Sequence, residues 1–252
     1  MMNTIINTDW IEKYRQAAYR LILLDYDGTL VNYEPKPEEA LPSLHLLDIL
    51  KKLNKKPRTR LIIISGRSHR DIDKFLGHLP IDIIAEHGAI IKENGNWSKP
   101  AGETALWKQE LIPLFNAITL ECPNSFVEEK EFSLVWHYRN ADEEIGYSYS
   151  RELIRTLSTK IDLLNLKILD GNKVIEVLTH EIGKGLAVKK IVEQNNYDYI
   201  LAIGDDKTDE EMFEFLLYNE DALTIKVGKG STFAKHKLDS VEEVFTFLER
   251  MQ

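Results

Sequence analysis

Apolar runs and apolar stripes alternate along both ends of this chain. Leu21-Ile22-Leu23-Leu24 is a continuous run of strand length, and Leu41, Leu44, Leu47, Leu50 and Leu53 recur at helical spacing before a second run, Arg60 to Ile64. Run, stripe and run predict a βαβ unit. Ser68 is placed to cap a short helix through Phe75, Ile81 to Ala85 supplies another buried strand, and Asn94-Gly95 marks a hairpin turn after Ala89 to Ile91. The last third repeats the rhythm, with a helix from about Lys184, a strand Tyr199 to Ile203, a helix from about Thr208, a strand Leu223 to Val227 and a final helix capped near Ser240. Strands that are apolar throughout are buried on both faces, so the expected fold class is α/β, a Rossmann-like doubly wound parallel sheet.

From about Gly102 to Leu178 the pattern changes. Phe132 to Arg139 alternates cleanly, and Leu166 to Leu178 reads as two strands around Asp170-Gly171-Asn172, each preceded by a helical stretch, about Glu103 to Ile118 and Asp142 to Ile161. Clean alternation indicates antiparallel strands with one covered face. The expectation is an inserted α+β cap domain over 102–178, with 1–101 and 179–252 as the core. In the leading segment, Trp10, Tyr14 and Ala17 are spaced as a helical stripe that packs either on the core or on a second copy.

Composition narrows the partners. The chain has 252 residues, 43% of them hydrophobic, enough for one large domain carrying an insertion. No apolar stretch approaches the roughly 20 residues that span a bilayer, and Met1 to Trp10 is too polar for a signal peptide, so the default expectation is cytoplasmic, with no membrane partner. The single cysteine, Cys122, has no disulfide or metal companion and reads as structural. Net charge is −9 and the 32 basic residues are scattered, so no nucleic-acid footprint appears.

Four constellations fall at strand tips or helix starts. Asp25-Tyr26-Asp27-Gly28-Thr29 follows the first run, and alternation sends Asp25 and Asp27 to one side while Gly28 allows a sharp turn. Two acids at the tip of a buried strand suit a hard cation and a phosphate. Ser65-Gly66-Arg67 ends the second run, offering a hydroxyl and a guanidinium to phosphate oxygens. Gly183-Lys184-Gly185 opens a helix, where an ammonium and the helix N-terminus both favour an anion. Gly204 to Glu210 adds Asp205, Asp206 and Asp209 after the strand ending at Ile203. Each has a plainer reading: an Asx turn, an ordinary loop, a solvated lysine, acids complementing a helix dipole.

Taken in order, these motifs resemble the four motifs of the haloacid dehalogenase superfamily of phosphotransferases, and so imply a haloacid dehalogenase-like core. Ala85-Glu86-His87-Gly88-Ala89, Val127 to Lys130, Ser133 to Arg139, Asn172 to Val177 and Gly204 to Phe213 narrow the resemblance to the trehalose-6-phosphate phosphatases. The phosphatase domain of fused synthase-phosphatase proteins is especially similar, and the resemblance runs from about Tyr19 to Leu248.

The resemblance implies a magnesium-dependent hydrolase, with trehalose 6-phosphate as substrate, at the last step of trehalose biosynthesis. Asp25 would be the nucleophile that forms an aspartyl phosphate and Asp27 the acid and base, with Ser65 and Lys184 binding phosphate. Mg2+ would sit between Asp25, the Asp27 carbonyl and Asp205, with Asp206 and Asp209 behind them. Gly28, Thr29, Gly66, Arg67, Glu86 and His87 are the core candidates for substrate binding, although His87 also reads as a packed hinge residue. In the cap, Glu128, Lys130 and Glu176 would reach sugar hydroxyls. Phe132, Leu134, Trp136 and Tyr138 alternate onto one face, leaving His137 and Arg139 together on the other, where they read equally as a salt-bridged surface. The chain leaves no room for a synthase domain, so any trehalose-phosphate synthase is expected to be a separate protein. The partner is otherwise a small sugar phosphate, and the expected state is a monomer. Another capped sugar-phosphate phosphatase, a phosphomutase and a non-catalytic regulatory domain stay open as alternatives.

Overall fold

The structure, a computed structural model, describes residues 8–99 and 105–252. The chain divides into two compact units, Met1–Lys99 with Gly183–Gln252, and Pro100–Ile182.

The first unit opens with α1 (Thr8–Gln16) and β1 (Arg20–Leu24), and α2 (Leu44–Asn54) then leads to β2 (Thr59–Ile64). After α3 (His69–Leu76) come β3 (Asp82–Ala85) and the hairpin β4 (Ile90–Glu93) and β5 (Asn96–Ser98). The inserted unit runs α4 (Lys108–Glu121), β6 (Phe126–Glu129), β7 (Ser133–His137), α5 (Glu143–Ile161), β8 (Leu166–Gly171) and β9 (Val174–Thr179). The chain then resumes with α6 (Lys184–Glu193), β10 (Tyr199–Gly204), α7 (Lys207–Leu216), β11 (Ala222–Val227), β12 (His236–Leu238) and α8 (Val241–Arg250).

The first unit is built on an eight-stranded sheet in the order β12-β11-β10-β1-β2-β3-β4-β5. Its strands from β12 to β3 pair in parallel, and β4 and β5 add an antiparallel edge. Leu21 to Leu24 are completely buried, as a strand covered on both faces requires. Leu21 and Leu23 lie in a cluster with Val188 of α6 and Met212 and Phe213 of α7. Strand order across the sheet reverses between β1 and β10, and in open α/β sheets the crevice outside the strand tips at such a point is where ligands bind. Asp25 follows β1 and Asp205 follows β10.

Departures from the sequence pattern have local causes. The second helix starts at Leu44, capped by Ser43 Oγ, which accepts the Leu46 N–H, and Leu41 stays outside it, 62% exposed. Leu41 precedes Pro42, which disfavours helical backbone at the residue before it. The expected helix from Glu103 begins at Lys108; residues 103 and 104 lie outside the described residues. The edge strand β12 is three residues of mixed polarity, too short to show a period. The leading stripe packs on this chain's own core: Trp10 and Tyr14 meet the Tyr199 ring edge-on, at centroid distances of 6.1 and 5.4 Å. Residues 1–7 lie outside the described residues.

The inserted unit is an antiparallel sheet in the order β6-β7-β9-β8. Leu134, Trp136 and Tyr138 pack with Leu111 and Phe115 of α4 and Leu153 and Leu157 of α5, and the free thiol Cys122 is buried there as well. On the other face, register sets Glu128 opposite Val135, Val135 opposite Glu176, and Glu176 opposite Leu169. Among the described residues no helix is long and apolar enough to cross a membrane.

Candidate active site

The tips of β1 and β10 are tied together before any side chain acts, because the Asp25 amide donates to the Ile203 carbonyl at 2.9 Å. Tyr26 turns the opposite way from Asp25 into the core, where its hydroxyl donates to the Ala40 carbonyl. Gly28 then bends the chain at φ +82°, in the left-handed region that costs an L-residue about 1–2 kcal/mol. A Cβ there would lie 2.3 Å from Asp205 Oδ2, so the missing side chain is also the space for that carboxylate. Gly28→Ala should therefore destabilise the protein by at least the backbone cost of about 1–2 kcal/mol and displace Asp205. Thermal melting together with cation titration checks both effects; an unchanged melt and unchanged binding would refute the steric argument.

Lys184 is the first residue of α6, its side chain 2% exposed. Its Nζ donates to Asp25 Oδ1 and to Asp209 Oδ1, each at 2.7 Å. Asp209 is held on its other oxygen too, since Oδ2 accepts the amides of Asp205 and Asp206 at 3.0 and 3.1 Å. A Cβ on Gly204 would collide with that carboxylate. Asp206 closes the reciprocal half, its Oδ1 capping α7 through the Thr208 and Asp209 amides. The motif following β10 is thus a capping box whose product is a fixed Asp205.

Asp25, Asp205 and Asp209 each present an oxygen within 4.8 Å of the others. Asp25 Oδ2 and Asp205 Oδ1 are buried with no hydrogen-bond partner. Buried carboxylate oxygens are normally satisfied, so these two have the character of metal-ligand positions, whereas Asp209 already serves Lys184 and two amides. Burial pushes Asp25 up to about 7, with Asp205 and Asp206 adding to the rise and Lys184 opposing it. Asp205 likewise rises to about 7, through burial and then Asp206 and Asp209. For Lys184, burial works against the charged form, but Asp209, Asp25 and Asp206 outweigh it and raise the ammonium well above its ordinary value. A cation placed among these acids offsets their repulsion.

Asp27 points its carboxylate elsewhere. Arg67 grips it with two donors, Nε to Oδ2 and Nη2 to Oδ1, both 2.7 Å. The same guanidinium donates to the Pro37 carbonyl and lies over the Tyr26 and Phe75 rings. Ser65, 1% exposed, accepts the Arg67 amide on Oγ, and its carbonyl accepts the His87 amide. Glu86 and His87 take consecutive left-handed φ values of 48° and 57°. This costs about 1–3 kcal/mol per residue and lets their amides lace the Ser65–Arg67 turn. The His87 ring fills the space beside Gly66, where a Cβ would lie 2.4 Å from it. Thr29 is fully buried under the acid loop.

On the inserted unit, Lys130 Nζ and Ser133 Oγ both donate to Glu176 Oε1, at 3.0 and 2.5 Å. His137 Nε2 meets Glu128 Oε2 at 2.8 Å, and the His137 ring stacks on Phe126 with centroids 4.5 Å apart. Burial works to raise the Glu128 carboxyl, but His137 and Lys130 hold it below the ordinary range. Arg139 follows β7 and donates to the Asn172 carbonyl.

Three residues near these groups escape the motif reading. Lys226 in β11 is buried, with Nζ donating to the Asp205 carbonyl and 4.0 Å from Glu210. A lysine inside the apolar run Leu223 to Val227 was the available signal. Tyr33 donates to Asp205 Oδ2, and Phe126 pairs with His137. Neither has a sequence signal, since each is an aromatic residue in a polar stretch.

The trehalose-phosphatase family model matches residues 23–243. Over 246 residues the chain is 39% identical to the alpha,alpha-trehalose-phosphate synthase [UDP-forming] B of Dictyostelium discoideum, covering 95% of this chain and 31% of that protein. It is also 39% identical, over 240 residues, to the bifunctional trehalose-6-phosphate synthase/phosphatase of Thermoproteus tenax, covering 95% and 33%. The chain thus spans about a third of the length of these curated relatives. The solved C-terminal domain of trehalose-6-phosphate phosphatase from C. albicans superposes with a TM-score of 0.92 at 28% identity, over 97% of this chain and 95% of that one. Carrying the family's match across both ends of the sheet and the inserted unit, the chain belongs to the trehalose-phosphatase family.

Proposed function

We propose that this chain hydrolyses trehalose 6-phosphate to trehalose and phosphate, with Mg2+ as cofactor and Asp25 as nucleophile. The observation that carries the reading is the state of the Asp25 carboxylate, one oxygen on the buried Lys184 ammonium and the other buried and unpartnered, in a group that also holds Asp205 and Asp209. Asp25 and Asp205 would hold the metal, which when bound would neutralise phosphate charge.

In the first step an Asp25 oxygen attacks phosphorus while the bond from phosphorus to the sugar oxygen breaks, and Asp27 gives that oxygen its proton. In the second, water attacks the phosphorus of the aspartyl phosphate, Asp27 takes the water proton, and the bond to Asp25 breaks, releasing phosphate. Lys184 and Ser65 hold phosphate oxygens, Lys184 also offsetting the surrounding acids. Arg67 occupies both Asp27 oxygens, so Asp27 exchanges that fork for the leaving oxygen as the reaction begins. We assign the core to residues 1–101 and 179–252, and recognition of the disaccharide to 102–178. There the face that carries Glu128, Lys130 and Glu176 supplies polar groups for sugar hydroxyls.

Phosphate release with Mg2+ from trehalose 6-phosphate, sucrose 6-phosphate, glucose 6-phosphate and mannosyl phosphoglycerate tests the assignment. Preference for the first is expected; preference for another would keep the chemistry and overturn the sugar assignment, and no release from any would favour a regulatory domain. Glu128→Gln should lower kcat/KM for trehalose 6-phosphate about 10- to 100-fold, the value of a hydrogen bond to a charged group. Hydrolysis of p-nitrophenyl phosphate should be unaffected, and equal losses on both substrates would count against a sugar contact.

A further inference from the structure

Tyr33 lies outside every motif that carries the family resemblance, yet its hydroxyl donates to Asp205 Oδ2 at 3.0 Å. The main chain of Asp205 is fixed as well, its amide on Asp209 Oδ2 and its carbonyl on Lys226 Nζ. Gly28 packs against the same carboxylate, where an added Cβ would lie 2.3 Å from Oδ2. Oδ1 is buried without a hydrogen-bond partner, and Asp205 presents one carboxylate oxygen to a group with oxygens of Asp25 and Asp209.

We propose that Tyr33 is a positioning residue that restricts Asp205 to a single ligating oxygen, so that the acid cluster favours Mg2+ over Ca2+. The inference rests on the metal-dependent reading above. Ca2+ accepts six to eight oxygens and readily takes a carboxylate through both, whereas Mg2+ demands a small, near-ideal octahedron. A carboxylate tied at Oδ2 supplies one oxygen in a fixed direction, as the octahedron needs. Binding through both oxygens would need the carboxylate to rotate, which strains the Tyr33 hydrogen bond, a penalty that falls on the larger ion alone.

Tyr33→Phe removes the hydroxyl and keeps the ring, which is 37% exposed, so the fold is not at risk. The variant should bind Mg2+ more weakly while Ca2+ affinity holds or rises, shifting the ratio of their dissociation constants by about 10-fold, the lower end of the range for outer-shell partners of metal ligands. Calorimetric titration of Mg2+ and of Ca2+ into metal-stripped wild type, Tyr33→Phe and Asp205→Asn reads this directly, without turnover, and a metal-free melt of Tyr33→Phe should match the wild type. An unchanged ratio, or equal loss of both affinities, overturns the role of Tyr33 while leaving the metal reading intact. Failure of the wild type to bind Mg2+ overturns the metal reading and this inference with it. The two failures are distinguishable, because the second shows in the wild type itself.

Discussion

Asp25→Asn should abolish phosphate release, by at least about 10^4-fold as for loss of a member of a concerted catalytic group, while raising thermal stability above neutral pH. The amide has the same shape and its oxygen can still accept from Lys184, but it cannot attack phosphorus. The stability gain follows from the sign of the carboxylate's perturbation. Burial, with Asp205 and Asp206, lifts Asp25 from 3.8 to about 7, so between those values the folded protein binds a proton that the unfolded chain does not. Wild-type stability contributed by this group therefore falls as pH rises through that window. The neutral amide escapes the loss, so the difference in melting temperature should widen in favour of the variant from pH 5 to pH 8. Residual release above about a ten-thousandth of wild type, or a variant that loses stability with rising pH faster than wild type, would overturn the assignment of Asp25 as a nucleophile kept at a cost in stability.

Lys184→Met should be the opposite kind of loss. The substitution keeps the apolar stem and removes the ammonium that sits 2.7 Å from both Asp25 and Asp209, leaving two buried carboxylates facing each other. Breaking a buried pair in this way costs about 3–5 kcal/mol, equivalent to a melting-temperature drop of roughly 6–20 °C for a chain of this size. Without the ammonium both acids are raised further above their ordinary value, so the folded variant takes up protons and its deficit should shrink towards pH 5 and grow towards pH 8. Activity should be lost with Asp25 still present. Combining Asp25→Asn with Lys184→Met should recover part of the lost stability and none of the activity, and strict additivity of the two melting shifts would show that the charges do not interact.

The core strands were legible because each is a short run of large aliphatic residues, and the acid pair was legible because it stands where such a run ends. What periodicity could not supply was direction at side-chain scale. Alternation put Asp25 and Asp27 on one side, yet the two carboxylates have separate partners, Lys184 for one and Arg67 for the other. That division depends on a turn 40 residues away in sequence, and no local rule encodes it. The family resemblance sets Asp209 behind the metal ligands, but periodicity did not show that it also clamps the Asp205 loop, its second oxygen collecting two amides. Tyr33 was invisible for a related reason: a hydroxyl's partner 172 residues distant leaves no trace in its own neighbourhood.

Pairing of β1 with β10 joins Leu21 to Ile200 and Leu24 to Ile203, segments about 180 residues apart. At synthesis rates of roughly 5–20 residues per second, β1 waits on the order of 10–40 seconds for that neighbour. The inserted sheet finds all its strand partners between Phe126 and Thr179 and can close in the meantime. A growing chain therefore holds Leu21 to Leu24 with one edge bare while a later-made unit is already finished, and Asp25 acquires Lys184 and Asp205 only towards the end of that wait.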